Sequence, residues 1–257
     1  MRFRLVGKAE KNLFYSEKFY ARVSPGSLSS ARVVLPIVFD LLQPHRVADI
    51  GCGTGMWLAV CRELGAQRIL GVDGKWVTSR TLQIPVESFQ SADLCEPLSL
   101  PEAFDLVISV EAAEHLPERR AESLVADLVR LGKAVLFSGA VPRQGGESHV
   151  NEQWQDYWAQ LFAKQGYVPI DCVRPIVWSD PRVDYWYAQN VLLYVAEDLL
   201  ATNAALREAQ ARTNLGQLSM IHPRLFAMRT RHSKLQQWAE PATRKLRQLF
   251  DLLRGRQ

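Results

Sequence analysis

The chain has 257 residues, 47% of them hydrophobic and 23% charged, a balance that excludes a fibrous or disordered protein and leaves length enough for a full core. Its formal net charge of +4 is too mild over that length to imply nucleic acid as a partner of the whole chain. The charge is uneven, however, because residues 222–257 hold nine Lys/Arg against only Glu240 and Asp251.

The opening residues 1–8 are basic but lack the apolar run of a signal peptide. Residues 27–42 carry apolar positions at helical spacing, closed by Pro44. Residues 46–50 then predict a short buried strand, 51–55 a glycine-rich turn, and 56–64 a helix stopped by Gly65. A second strand spans 68–72 and ends at Asp73; after a connecting stretch over 74–91, residues 104–110 form another buried strand. From Pro117 a helix places Ala121, Leu124, Val125 and Leu128 on one face and ends at Gly132.

A strand at 134–137 leads into a Gly-rich loop through Gly146. Residues 151–165 predict a helix capped by Asn151, with Trp154, Trp158, Leu161 and Phe162 on one core stripe. Two strands follow near 167–177 and 188–195 without a helix between them, suggesting an antiparallel finish. Beyond residue 197 no strand-like run occurs, and Leu246, Leu249, Phe250 and Leu253 mark an amphipathic final helix. Alternating strands and helices predict an α/β fold with a doubly wound, mainly parallel sheet over residues 1–200, followed by a basic helical extension over 201–257. No segment is read as apolar enough to span a bilayer, so the cytoplasm is the expected location. Cys52, Cys61, Cys95 and Cys172 show neither CxxC pairing nor His/Cys ligand spacing, which predicts reduced thiols and no metal site.

The strongest signal is Val47-Ala-Asp-Ile-Gly-Cys-Gly-Thr-Gly55, a strand delivering a turn whose glycines let the backbone approach a ligand closely. A dinucleotide GxGxxG turn would need glycine at position 56, where Met56 stands. Three further signals follow in order: Asp73 at the next strand end, Ser91-Ala-Asp-Leu94, and 104–111 with Glu114-His-Leu-Pro117. Each acid alone would suit a helix cap, but together they point to one shared ligand.

This set resembles class I S-adenosylmethionine-dependent methyltransferases, with their seven-stranded Rossmann-like sheet. The resemblance implies S-adenosyl-L-methionine as cofactor. It assigns Asp49 to the ligand's ammonium side, and the turn of Gly51, Cys52, Gly53 and Gly55 to its methionine part. Asp73 would take the ribose hydroxyls, Asp93 the adenine amino group and the Leu94 amide a ring nitrogen, while Val110 and Glu111 reach the cofactor and begin the acceptor pocket. Ser27–Ala31, Gly71–Gly74, Gln144–Gly146 with His149–Trp154, and Trp186–Asn190 extend the likeness over residues 10–200 to a bacterial group associated with glycan and cell-surface polysaccharide biosynthesis. That association makes a sugar or glycan-precursor hydroxyl the leading acceptor.

A hydroxyl acceptor must lose a proton, and His149 is the preferred base, with Glu111 second. His115 is read as a packing or hydrogen-bonding residue at the head of the next helix. Methylation of a small metabolite, a protein or RNA is the alternative within the same chemistry, and a non-catalytic scaffold for glycan assembly is the alternative outside it. The basic tail reads first as a solvated face whose Leu/Phe stripe packs on the domain or on a second copy in a homodimer. A weak contact with a polyanion or a membrane surface is its other reading.

Overall fold

The computed structural model describes residues 17–230. The predicted final helix and most of the basic tail lie outside the described residues, as do residues 1–8. In chain order the elements are α1 (Glu17–Leu42), β1 (Arg46–Ile50), α2 (Met56–Glu63), β2 (Arg68–Asp73), β3 (Phe89–Ser91) and β4 (Leu106–Val110). There follow α3 (Ala121–Leu131), β5 (Ala134–Ser138), α4 (Gln155–Ala163), β6 (Tyr167–Ile170), α5 (Arg174–Val177), α6 (Tyr185–Asn190), β7 (Leu192–Ala196), α7 (Glu197–Thr202) and α8 (Ala204–Ala211).

The strands form one seven-stranded sheet in the order β3-β2-β1-β4-β5-β7-β6. All neighbours run parallel except β7, which is antiparallel to both β5 and β6. The seven-stranded, doubly wound sheet is as expected. Its central strands are buried on both faces and so read as continuous apolar runs. Alternate residues serve opposite layers. Val47, Leu106, Ile108 and Leu136 face the layer holding Ala31, Val34 and Leu35 of α1 and Leu58 of α2. Ala48, Val107, Val135 and Phe137 face the layer of Leu124 and Leu128 from α3 and Trp158 and Phe162 from α4.

Several boundaries differ from expectation, each for a local reason. Helix α1 begins at Glu17 and runs through Pro25, a residue that sequence reasoning treats as a breaker. Its window Ser24–Leu42, with mean hydropathy 1.3, is long and apolar enough to cross a membrane, contrary to the expectation that no segment is. Here its Ala31, Val34, Leu35 and Val38 are core residues at helical spacing. The stretch read as a connection contains β3, whose half-exposed edge position leaves little apolar pattern.

Helix α4 starts at Gln155, not 151; Trp154 precedes it and is 39% exposed, so only Trp158 of the predicted pair joins the core. The expected strand over 167–177 stops at Ile170, the strand expected from 188 begins at Leu192, and two short helices lie between them. Pro169 is accommodated in β6 because that strand is an edge. All four cysteines are free thiols.

The first compact unit runs to Met220, past the expected boundary at residue 200. Leu206 of α8 is a core residue. The wholly buried Arg174 donates to the carbonyls of Gln189 (3.3 Å) and Leu218 (2.6 Å) and pairs with Asp171 (2.7 Å). Burying a guanidinium requires such partners at every edge, which ties residues up to 218 to the sheet. The second unit comprises residues 221–257.

Candidate functional site

After β3 the chain crosses back over the sheet to lay down β4 on the other side of β1. The carboxyl ends of β1 and β4 therefore diverge and open a crevice of about 420 Å³, the place where an open α/β sheet binds ligands. Its donor side begins at the turn after β1, where the Gly51 and Cys52 amides donate to the Val72 carbonyl (2.8 and 3.2 Å). Gly51 has φ +87°, and a Cβ there would fall 2.5 Å from Ala112 Cβ, so only glycine fits. Asp73 locks the turn from β2: its carboxylate accepts from the Gly53 amide (2.7 Å) and the Gly74 amide (2.6 Å). A carboxylate has lone pairs beyond those two bonds, and Asp73 lines the crevice.

Asp49, at the crevice floor, is 1% exposed, and neither of its oxygens has a hydrogen-bond partner. Burial, and then the nearby Asp73 charge, raise its carboxyl well above the usual carboxylate range. A buried carboxylate without a partner is costly unless a cation arrives or a proton stays on. Asp93 and Leu94 reach the same crevice, with Asp93 accepting from the Cys95 amide (3.1 Å). The Arg120 guanidinium, paired with Asp127 in the core, holds this segment through the Leu94 carbonyl (3.0 Å).

The acceptor side begins where β4 ends. Glu111 has φ +50°, a strained conformation for a non-glycine residue. Three donors fix its carboxylate: Ser138 Oγ (2.8 Å), Gln144 Nε2 (2.8 Å) and Asn190 Nδ2 (3.0 Å). So engaged, Glu111 is an anchored acceptor on the crevice wall. Beyond β5, the loop before α4 carries His149. Glu152 accepts from the His149 ring at Nδ1 (3.0 Å) and from the Arg143 (2.7 Å) and Gly145 (2.6 Å) amides. Since a carboxylate only accepts, this contact puts the proton on Nδ1 and leaves Nε2 for another group.

The Glu114 carbonyl accepts from the amides of Val150 (2.8 Å) and Asn151 (3.1 Å), clipping the β4 exit to the His149 loop. Asn151 is thus buried beside the site and does not cap a helix. Glu114 itself is 1% exposed, with both carboxylate oxygens unpartnered. His115 and His149 cross edge to face at 4.9 Å. Where sequence spacing held no metal ligands, the fold places donor atoms of Glu114, His115 and His149 within 4.8 Å of one another.

Comparison with known proteins agrees with this geometry. A family described as "methyltransferase domain" matches residues 29–171, more than half of the chain. The chain belongs to that family. It is 28% identical over 139 residues to a ribosomal protein L11 methyltransferase of Shewanella sp. (strain ANA-3), covering 48% of this chain and 46% of that protein. It is 29% identical over 142 residues to a tRNA (carboxymethyluridine(34)-5-O)-methyltransferase of Xenopus tropicalis, covering 51% of this chain and 22% of the relative. The chain thus spans about half, or less, of the length of these curated relatives. Among solved structures, magnesium protoporphyrin IX methyltransferase from Synechocystis PCC 6803 with bound SAH superposes with a TM-score of 0.51 at 17% identity, over 76% of this chain and 90% of that one.

In this methyltransferase domain every cofactor residue expected from the sequence other than Gly55 lines the one crevice, and Gly55 caps α2 at φ +83° just behind it. The residues that sequence reasoning missed are non-local. Tyr20 from α1 lies over Gly53, with its ring 3.3 Å from where a Cβ would stand. Trp57 and Tyr187 meet edge to face at 5.2 Å on the crevice wall. Ser138, Gln144 and Asn190 hold Glu111 from three separate segments. The repeated amides of Gln144 and of Gln189-Asn190 were a visible signal, but without the fold they read as ordinary loop and helix polarity.

Proposed function

We propose that the domain binds S-adenosylmethionine and methylates a hydroxyl of a sugar or glycan precursor, with His149 receiving the hydroxyl proton. The observation that carries the cofactor assignment is Asp49, an unpartnered buried carboxylate facing the crevice under a glycine turn. The cofactor's ammonium group would supply the missing positive partner, Asp73 has lone pairs left for ribose hydroxyls, and the Asp93-Leu94 segment stands at the nucleobase end. When bound, the sulfonium supplies an intrinsically reactive methyl group, so the protein's task is to align the acceptor and exclude water.

His149 is suited to the proton because Glu152 orients its ring and stabilises the charge that develops there. A sugar suits the acceptor side because Tyr185 and Trp186 line the crevice and would pack on its C–H surfaces, while the Glu111–Gln144 array offers polar atoms to its rim. Calorimetry with S-adenosylmethionine tests the first half, and folded protein giving no heat would overturn it. Incubation of the domain with cellular glycan precursors, followed by mass spectrometry for a gain of one CH₂, tests the second. Methylation confined to protein or RNA fractions would reassign the acceptor.

A further inference from the structure

We propose that Glu114, His115 and His149 form a binding site for a divalent transition-metal cation at the acceptor end of the crevice. The inference rests on the reading of that crevice as a methyltransferase site and deepens it. The first observation is geometric: one donor atom from each residue lies within 4.8 Å of the others, and all three residues line the crevice. The second is independent of spacing. Glu114 is 1% exposed and neither carboxylate oxygen finds a donor, although neighbouring groups are densely hydrogen-bonded.

A cation accounts for that arrangement, because it would compensate the Glu114 charge and that of the nearby Glu111 together. Glu111 itself is not a ligand on this view, being committed to Ser138, Gln144 and Asn190. The local build also fits metal binding. The amides of Val150 and Asn151 bond to the Glu114 carbonyl and fix the His149 loop against Glu114. Glu152 on His149 Nδ1 fixes the tautomer that presents Nε2, the carboxylate–histidine arrangement that commonly supports a metal-bound imidazole.

Two imidazoles and one carboxylate favour Mn²⁺, Fe²⁺, Co²⁺ or Zn²⁺ over Mg²⁺ and Ca²⁺, which prefer oxygen ligands. Three protein ligands leave coordination positions open toward the crevice, where an acceptor oxygen can enter. Nε2 of His149 is the one ring nitrogen open to the crevice, so its base role belongs to the metal-free domain and its ligand role to the metal-loaded one.

The test is a titration of the full chain, freed of metal by a chelator, with Co²⁺ followed by its visible absorption. One equivalent should bind and produce d–d bands. Glu114→Gln and His149→Ala should each weaken Co²⁺ binding about 100-fold, and Glu152→Gln, which removes only the orienting carboxylate, about 10-fold. Calorimetry with S-adenosylmethionine on the same samples reports folding and the cofactor site separately. Wild-type protein that binds S-adenosylmethionine but takes up neither Co²⁺ nor Mn²⁺ would overturn the proposal, as would Co²⁺ binding unchanged by His149→Ala. Co²⁺ bound at this site without any cofactor heat would instead support the cation site and count against the methyltransferase reading.

Discussion

On the donor side of the crevice, Asp49, Gly51, Asp73 and Asp93 arrive from three successive strand ends, each close in sequence to the next. On the acceptor side, Glu111, Glu114, Gln144, His149 and Asn190 come from the β4 exit, the loop before α4 and the end of α6. The donor side is built from backbone amides and short turns, with one buried carboxylate left unsatisfied. The acceptor side is built from side-chain networks in which one carboxylate is saturated and another is bare. The contrast shows where a shared cofactor and an individual substrate leave their marks. A constant ligand is met by local, repeatable turns, whereas an acceptor pocket is assembled from pieces that only the fold brings together.

That division can be broken most severely at His149. His149→Ala should lower turnover by about 10²–10⁴-fold while leaving S-adenosylmethionine affinity unchanged, as seen by calorimetry beside steady-state rates. Equal loss of both would show that the two sides are one unit. Next in size is Gly51→Ala, which forces a Cβ to 2.5 Å from Ala112 Cβ at φ +87°. Cofactor affinity should fall about 100-fold, and adding Ala112→Gly should restore only part of it, because the backbone strain persists.

A smaller effect is expected for Asp73→Asn, about 1–3 kcal/mol in cofactor binding, since the amide weakens both the turn and the contacts to ribose. Affinity equal to the wild type would remove Asp73 from the cofactor site. The smallest effect concerns pH. Asp49 is raised in the folded protein by burial and then by Asp73. The stability linked to its proton is therefore full below the unfolded carboxylate pKa and is lost as pH rises through the folded value. Cofactor-free protein should melt at lower temperature as pH rises across that window, by at most about 1.4 kcal/mol per pH unit for one proton. Asp49→Asn should flatten that slope. S-adenosylmethionine, whose ammonium favours the ionised carboxylate, should bind better as pH rises through the same range.

Much of the donor side was legible from residues alone. The fold brings Asp49, Gly51, Cys52, Gly53, Asp73 and the Asp93-Leu94 segment to one crevice, and the strand ends and glycines that deliver them are visible in the sequence because they are local features. The acceptor side was legible only in outline. His149 was singled out, but its partner Glu152, the saturation of Glu111 and the company of Glu114 and His115 were not. Asn151 looked like a helix cap because its type and position suit one, yet the helix starts at Gln155 and Asn151 is buried, its amide bonded to the Glu114 carbonyl. The short β3 and the two helices before β7 escaped notice because neither carries enough residues to establish a period.

By itself, the sequence determined the alternation of apolar strands and amphipathic helices, and with it the sheet, its antiparallel finish and the glycine turn at the end of β1. The periodic patterns and the turn are local properties of the chain, although the sheet they specify joins distant residues such as Val47 and Leu106. Only the tertiary structure decided which carboxylate would be saturated, which would be left bare, and which histidines would meet. Hydrogen bonds and burial at those positions join segments as distant as residues 111, 144 and 190, whose proximity exists only once the sheet has formed.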